Sequence, residues 1–142
     1  MITGISLRSR LGVVGLPKDI ERRLVLPLSM SGRIVEEAAK EAVGVQGPAG
    51  SPGEGYFHKK LRAWVVASES PSPPHRQSGD LQQGITHRMY KRTTVNIIST
   101  MPYSQDLEYG RKNMRGPRPF MVPALTSSLG KILSSFSKFL GI

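Results

Sequence analysis

The sequence predicts an α+β fold with N-terminal helices, a small antiparallel β-sheet and a C-terminal amphipathic helix packed on that sheet. Apolar residues recur at helical spacing near the N-terminus and again at the C-terminal end. Between these regions, residues 93–100 are β-branched and alternate in polarity, which is typical of a strand. The 142 residues fit a single domain, 1–142.

The N-terminal region begins with a short apolar segment, residues 1–16, that could be an arm or an edge strand. The first helical stretch is predicted over residues 19–43, as one kinked helix or two short ones. Both alternatives arise from Pro27, which has no N–H group to donate and should kink or end a helix. Asp19 and Ser31 are the candidate N-caps, because their side chains can accept bonds from free backbone N–H groups.

A breaker-rich segment, residues 44–55, follows as GVQGPAGSPGEG and predicts a flexible or extended loop. A second helix is predicted over residues 56–68, because several apolar side chains fall on one face at helical spacing. Trp64, the single tryptophan, is expected to anchor a core or an interface. The proline-rich residues 70–74 should end this helix, since residues before proline avoid the helical region.

Residues 78–81 predict a turn that precedes the sheet. Gly79 can adopt a positive φ, and Ser78 or Asp80 can cap the turn that follows. Leu81 and Ile85 are expected to point inward.

Two strand-like runs then follow, residues 86–92 and 93–100, which we expect to be antiparallel neighbours. Residues 103–109 predict a short helix with Leu107 inward, and residues 110–119 predict a basic loop. This order of elements completes the α+β prediction up to the C-terminal helix.

The C-terminal helix has an apolar stripe and an opposite face of serines and lysines. Such a helix could bind a membrane, but only two lysines support that, so packing on the sheet is favoured. The predicted apolar stripe consists of Leu125, Leu129, Ile132, Leu133, Phe136, and Phe139 or Leu140. The predicted polar face consists of Ser127, Ser128, Lys131, Ser134, Ser135 and Lys138.

The net charge is +10, from 20 Lys and Arg residues against 10 Asp and Glu residues. Residues 109–142 hold six of these cations and no acid, which favours an anionic partner such as nucleic acid or an acidic protein surface. The chain has no cysteine, so disulfides and thiolate metal sites are excluded. No apolar run approaches the ~20 residues of a membrane span, and the N-terminus lacks the pattern of a secretory signal.

No catalytic, metal-binding or cofactor-binding constellation is recognisable, so we expect a protein that is not an enzyme. His58, His75 and His87 lack partners at metal-ligand spacing and are interpreted as lone surface residues. Asp106 and Glu108 lie two residues apart, and on a helix they face different ways. The candidate interaction site is the basic loop, whose cations would contact either DNA or an acidic protein surface: Arg111, Lys112, Arg115 and Arg118.

Two segments carry a resemblance to a known family. Residues 73–85, PPHRQSGDLQQGI, are similar to a "P-x-x-T-G-x-L-x-x-S-I" pattern. Residues 102–110, followed by 118–125, are similar to "pYA-x-x-x-E-x-G-T … RPF-x-x-PAL". The chain departs from these patterns at Ser78, Gly84 and Arg111. The matching positions that define the structural motif are Gly79, Leu81, Tyr103, Glu108, Gly110, Pro119, Phe120, Pro123 and Leu125.

In this order and spacing, the chain resembles the neck or tail-completion proteins of tailed double-stranded DNA bacteriophages, the minor tail protein Z-like group. The resemblance implies an α+β subunit of a homo-oligomeric ring in the virion, assembled in the host cytoplasm at the head–tail junction. Its neighbours would be head-completion or connector proteins and tail-terminator proteins, with nonspecific contact to duplex DNA in the lumen. It also implies that Phe120 plugs the core. The alternatives are the tail-terminator ring of the same junction and a small nonspecific DNA-binding protein.

Overall fold

The computed structural model describes residues 6–8 and 17–141, and its α+β architecture confirms the predicted fold class. The helices are α1 (Lys18–Ala42), α2 (Asp80–Gln83), α3 (Ser104–Tyr109) and α4 (Met121–Leu140). The strands are β1 (Ser6–Arg8), β2 (Tyr56–His58), β3 (Ala63–Val65), β4 (Ile85–Lys91) and β5 (Thr94–Ser99).

Helix α1 is a single helix of 25 residues that continues through Pro27. Pro17 occupies the N-cap position without a side-chain cap, so the prediction that Asp19 caps this helix is wrong. Asp19 instead lies in the first turn, where its negative charge complements the helix dipole. The prediction for Ser31 is also wrong, because Ser31 is buried inside the helix and its hydroxyl donates to the Pro27 carbonyl at 2.7 Å.

The principal sheet has three antiparallel strands in the order β1–β5–β4. The predicted pairing of the two strand-like runs is therefore confirmed. Strand β1 makes residues 6–8 an edge strand, one of the two expected forms; the remainder of 1–16 lies outside the described residues. In the centre, Ile97 is paired with Leu7 on one side and His87 on the other. The central strand β5 is buried along almost its whole length.

The hydrophobic core lies where α1, the sheet and the first turns of α4 meet. It consists of Val35, Ala39, Val43, Ile85, Ile97, Phe120, Met121 and Ala124, with Leu81, Leu107 and Leu125 packed partly against it. The C-terminal helix thus packs against the sheet at its start, as predicted. Beyond that point α4 lies mainly along α1.

The apolar stripe predicted for α4 is only partly buried. Ser128, expected on the polar face, is buried, while Leu129 and Leu133 are 49% and 67% exposed. This pattern of burial arises because α4 lies along α1. Small side chains such as Ala124 and Ser128 let two helices approach closely. The larger leucines are left on the outer face.

The prediction of a helix over residues 56–68 is wrong. This segment contains a two-stranded antiparallel hairpin of β2 and β3, in which Phe57 is paired with Trp64. Their rings pack edge to face with centroids 5.9 Å apart, which is a favourable geometry for aromatic pairs. Arg62 has a positive φ of 50°, which reverses the chain before β3. Trp64 therefore anchors this hairpin and is half-buried.

The Gly- and Pro-rich loop, residues 44–55, is held by the rest of the chain. The Gly50 N–H donates to the Trp64 carbonyl at 3.1 Å, and the Arg76 N–H donates to the Val45 carbonyl at 2.7 Å. A Cβ on Gly55 would lie only 2.3 Å from the Val65 carbonyl oxygen. The first part of the loop forms isolated bridges at Gln46 and Ala49, whereas residues 51–54 form a turn closed by a bond from the Glu54 N–H to the Ser51 carbonyl. The glycines of the loop permit its close approach to β3.

Gly32 allows α1 to lie close to the sheet, and we expect Gly32→Ala to destabilise the protein by about 1–3 kcal/mol. An added Cβ would lie 2.5 Å from Val95 Cγ2 and 3.0 Å from His87 Cδ2. Gly130 in α4 is the matched control, since a Cβ there would meet nothing within 4 Å. Gly130→Ala should stabilise by about 0.5–1 kcal/mol through helix propensity. Urea denaturation measures both changes, and equal effects at the two sites would contradict the close approach at Gly32.

Candidate functional site

A cleft of about 560 Å³ opens between the β2–β3 hairpin, residues 74–82 and α3. Its floor is apolar and includes Val43, Leu81 and Leu107. Its polar lining combines cationic, aromatic and imidazole side chains with a single carboxylate among the residues that the structure describes. These polar residues include His58, His75, Arg76, Asp80, Tyr103 and Arg118.

The carboxylate of Asp80 is neutralised by its neighbours. Lys60 Nζ lies 2.8 Å from both carboxylate oxygens, and the Ser78 hydroxyl donates to one of them at 2.8 Å. These hydrogen bonds, that of Lys60 foremost, hold the pKa of Asp80 below its usual value. Gly79, at the N-cap of α2, has a φ of +85° as predicted and permits this tight turn. The cleft therefore gains no net negative charge from Asp80.

Tyr103 separates this cleft from a second one of about 390 Å³, which Arg111 and Asp106 line on its other side. Burial raises the pKa of Tyr103, and the charges of Asp80 and Tyr56 add to that effect. Its hydroxyl therefore stays protonated at neutral pH and can donate a hydrogen bond to an acceptor in the cleft.

The basic loop, residues 110–119, has the predicted loop conformation, but its four cations do not line one site. Arg118 lines the larger cleft and Arg111 the smaller, where it lies 3.5 Å from Asp106 in an exposed ion pair. Lys112 and Arg115 are exposed and line neither. Such an exposed pair contributes little to stability. The loop thus offers cations to two neighbouring clefts and to solvent.

Glu108 joins the two ends of the region around the basic loop. Its buried carboxylate accepts hydrogen bonds from the backbone N–H groups of Phe120, Met121 and Val122 at 2.9, 3.0 and 2.9 Å. These are donors at the start of α4 that have no partner within the helix. Glu108 therefore caps α4 from a distance, and as expected it faces away from Asp106.

The other motif residues have identifiable structural roles. Gly110 ends α3 with a φ of +83°, a conformation that side chains disfavour. Phe120 is fully buried in the core and Leu125 packs partly against it. Pro123 is exposed, in the first turn of α4, where its missing N–H group costs no helical bond. Most of these positions are therefore explained by backbone geometry and packing.

A second polar cluster, at the contact between α1 and β4, joins Glu36, Lys40 and His87. One Glu36 oxygen accepts from the backbone N–H of His87 at 2.9 Å and also contacts the imidazole Nδ1. Burial would raise the pKa of Glu36, but hydrogen bonds from Lys40 and His87 outweigh it and hold that pKa below its usual value. The interpretation of His87 as a lone surface residue is therefore wrong.

Sequence reasoning missed the cleft because its lining comes from segments far apart in the chain. Arg76, Lys60 and His58 carried no local signal, and the hairpin that brings His58 to the cleft was predicted as a helix. The sequence signals that pointed to this place were the Ser78–Gly79–Asp80 turn, the motif residues Leu81 and Tyr103, and Arg118 of the basic loop. In the described parts of the chain, no group of three or more metal-ligating side chains occurs, and no helix is long and apolar enough to cross a bilayer.

Comparisons of the chain with protein-family models, with curated proteins and with solved structures found no match.

Proposed function

We propose that this protein is a structural subunit of the bacteriophage neck, which forms a ring that completes the tail and joins it to the head connector. The observation that carries the proposal is the bond between Glu108 and the backbone of residues 120–122. The acid of the "E-x-G" segment and the backbone of the "RPF-x-x-PAL" segment form one structural unit. The two halves of this second pattern, residues 102–110 and 118–125, are therefore joined by hydrogen bonds in the fold, which supports the proposal.

The exposed apolar side chains of the two long helices are consistent with lateral contacts in a ring. On α4, Leu129, Leu133 and Phe139 are all exposed, and on α1 Leu26 is 54% exposed. Apolar side chains left exposed on a helix can be covered when proteins associate. A subunit with a modest core of its own would gain stability from covering these side chains.

The basic loop is proposed to dock on an acidic surface of the adjacent ring, with contact to DNA in the lumen as the alternative. Three of its four cations are arginines, whose planar guanidinium groups bind carboxylates in a fork geometry. Contacts to DNA in the passage need to be weak, because tight binding would hinder ejection. Fixed fork contacts of this kind suit docking on a protein surface better than the weak contacts needed along moving DNA, so the protein partner is favoured.

Changing Arg111, Arg115 and Arg118 together to alanine should leave the subunit folded but yield unjoined heads and tails. These side chains lie at the surface or at a cleft edge, so their loss removes no core contact. Electron microscopy of the particles measures the effect. The matched control replaces three exposed cations at the start of α1, Lys18, Arg22 and Arg23, and should give normal particles. Normal particles from the loop variant, with DNA delivery alone slowed, would reject docking and favour the contact with DNA.

A small nonspecific DNA-binding protein is the second candidate, which the net charge of +10 favours. Size-exclusion chromatography and electron microscopy of the purified protein separate the two. A neck protein should form rings or bind the connector end of tails. A DNA-binding protein should instead remain small and bind duplex DNA with an affinity that falls steeply as salt increases.

A further inference from the structure

We propose that the 560 Å³ cleft binds a short acidic peptide segment of a partner protein, with Arg76 and Arg118 holding its carboxylates. This goes beyond the ring assembly proposed above and does not depend on it, because the cleft belongs to a single subunit. The inference comes from three properties of the cleft, namely its unpaired cations, its neutralised carboxylate and its apolar floor.

The cations that line the cleft are available to a ligand. In the part of the chain that the structure describes, the side chains of Arg76 and Arg118 make no hydrogen bond or ion pair, whereas Asp80 is bound by Lys60 and Ser78. Since Asp80 is already paired, it does not compete for the two guanidinium groups. Opposite charge brought near them by a ligand would complete the site, and carboxylates match the guanidinium fork.

The imidazole and phenol groups of the lining add uncharged donors. His58 Nδ1 accepts the backbone N–H of Leu61 at 3.3 Å, so in the neutral ring the proton lies on Nε2, which can donate. The protonated hydroxyl of Tyr103 is a further donor. A ligand rich in acceptors, such as a peptide backbone with acidic side chains, satisfies these groups.

The size and floor of the cleft favour a peptide over nucleic acid. A volume of about 560 Å³ is typical of clefts that enclose a small ligand or a few side chains. Duplex DNA presents its phosphates on a convex surface that cannot enter such a cleft. The apolar floor of Val43, Leu81 and Leu107 suits an apolar side chain flanked by acids. The chemistry of the predicted ligand is therefore acid–apolar–acid in an extended segment.

Fluorescence anisotropy of the purified full chain tests the proposal with a labelled peptide, Gly-Asp-Glu-Leu-Asp-Gly, at near-physiological salt. The double variant Arg76→Gln and Arg118→Gln should bind it at least about tenfold more weakly, since two charge-assisted contacts are lost. The matched control, Arg22→Gln and Arg23→Gln, removes the same charge from exposed sites on α1 and should change the affinity less than about twofold. The matched neutral peptide, Gly-Asn-Gln-Leu-Asn-Gly, should bind at least about tenfold more weakly to the unmodified protein.

Equal losses in the two double variants would overturn the proposal, because binding would then follow net charge and not this cleft. Equal binding of the acidic and neutral peptides would also overturn it. A labelled single-stranded oligonucleotide of the same net charge is the competing probe. If it binds more tightly than the acidic peptide and depends on the same two arginines, the cleft is a nucleic-acid site and the peptide proposal is wrong.

Discussion

Glu108→Ala is expected to destabilise the protein by about 3–5 kcal/mol, because a buried donor left unpaired costs about 1–3 kcal/mol and three donors lose their acceptor. The donors are the backbone N–H groups of Phe120, Met121 and Val122, within 3.0 Å of the carboxylate. The first two bonds are buried, so water reaches those donors poorly. Urea denaturation followed by circular dichroism measures the loss of free energy of unfolding.

The matched control for Glu108 lies two residues earlier on the same helix. Asp106 makes an exposed contact to Arg111 at 3.5 Å, so Asp106→Ala should change the free energy of unfolding by less than about 1 kcal/mol. Glu108→Gln retains one carbonyl oxygen as an acceptor and should fall between the two alanine variants. A loss for Glu108→Ala no larger than that for Asp106→Ala would show that α4 does not depend on this cap.

Phe120→Ala should cost about 3–5 kcal/mol, the range observed when a large aromatic side chain is removed from a core. Phe120 is 0% exposed and packs in the cluster that joins α1, the sheet and α4. The substitution leaves its backbone N–H bonded to Glu108, so the effect reports the side chain alone. Thermal and urea denaturation measure it.

Phe139, near the other end of α4, provides the comparison for Phe120. It is 39% exposed and lies outside the core cluster, so Phe139→Ala should cost distinctly less than Phe120→Ala. An unchanged melting temperature for Phe120→Ala would show that Phe120 does not fill the core and would remove one support for the motif.

The elements predicted well are those whose local pattern agrees with their packing. The stripe of α1 and the alternation of β5 each point their apolar residues at the core, as Val35 and Ile97 show. The turn at Gly79 was predicted because glycine can adopt a positive φ, and Gly110, which follows the predicted short helix, also has a positive φ. In these segments the residues that the hydrophobic periodicity assigns to the core are the ones that the fold buries.

The hairpin of β2 and β3 was missed because its apolar residues satisfy a helical spacing equally well. Phe57 and Trp64 are seven residues apart, which is two helical turns, yet they lie opposite each other across a hairpin. The turn depends on Arg62 at a φ of 50°. The glycine or asparagine that usually signals such a turn in a sequence is missing at this position. The local spacing fits both a helix and a hairpin. The choice between them depends on contacts with other parts of the chain, which a single sequence does not show.

The candidate site was predicted only in part, because some of its residues are neighbours in the sequence and others come together only in the fold. The cations of residues 111–118 stand together in the sequence, so the basic loop was recognisable. Arg76 and Arg118 are 42 positions apart in the sequence and line one cleft only after the chain has folded. The stripe of α4 was right only in part, since Ser128 is buried while Leu129 and Leu133 are exposed.

The two ends of the basic loop lie close together, since a Cβ on Gly110 would lie 3.4 Å from the Pro117 nitrogen. The Arg118 N–H donates to the Leu107 carbonyl at 2.7 Å, next to the bonds from Glu108 to the start of α4. Because its ends are fixed independently of its length, even doubling the loop would cost only about 0.6 kcal/mol in closure entropy. The loop can therefore vary in length at little cost to the free energy of folding. An inserted epitope tag should thus be tolerated in this loop without loss of the fold.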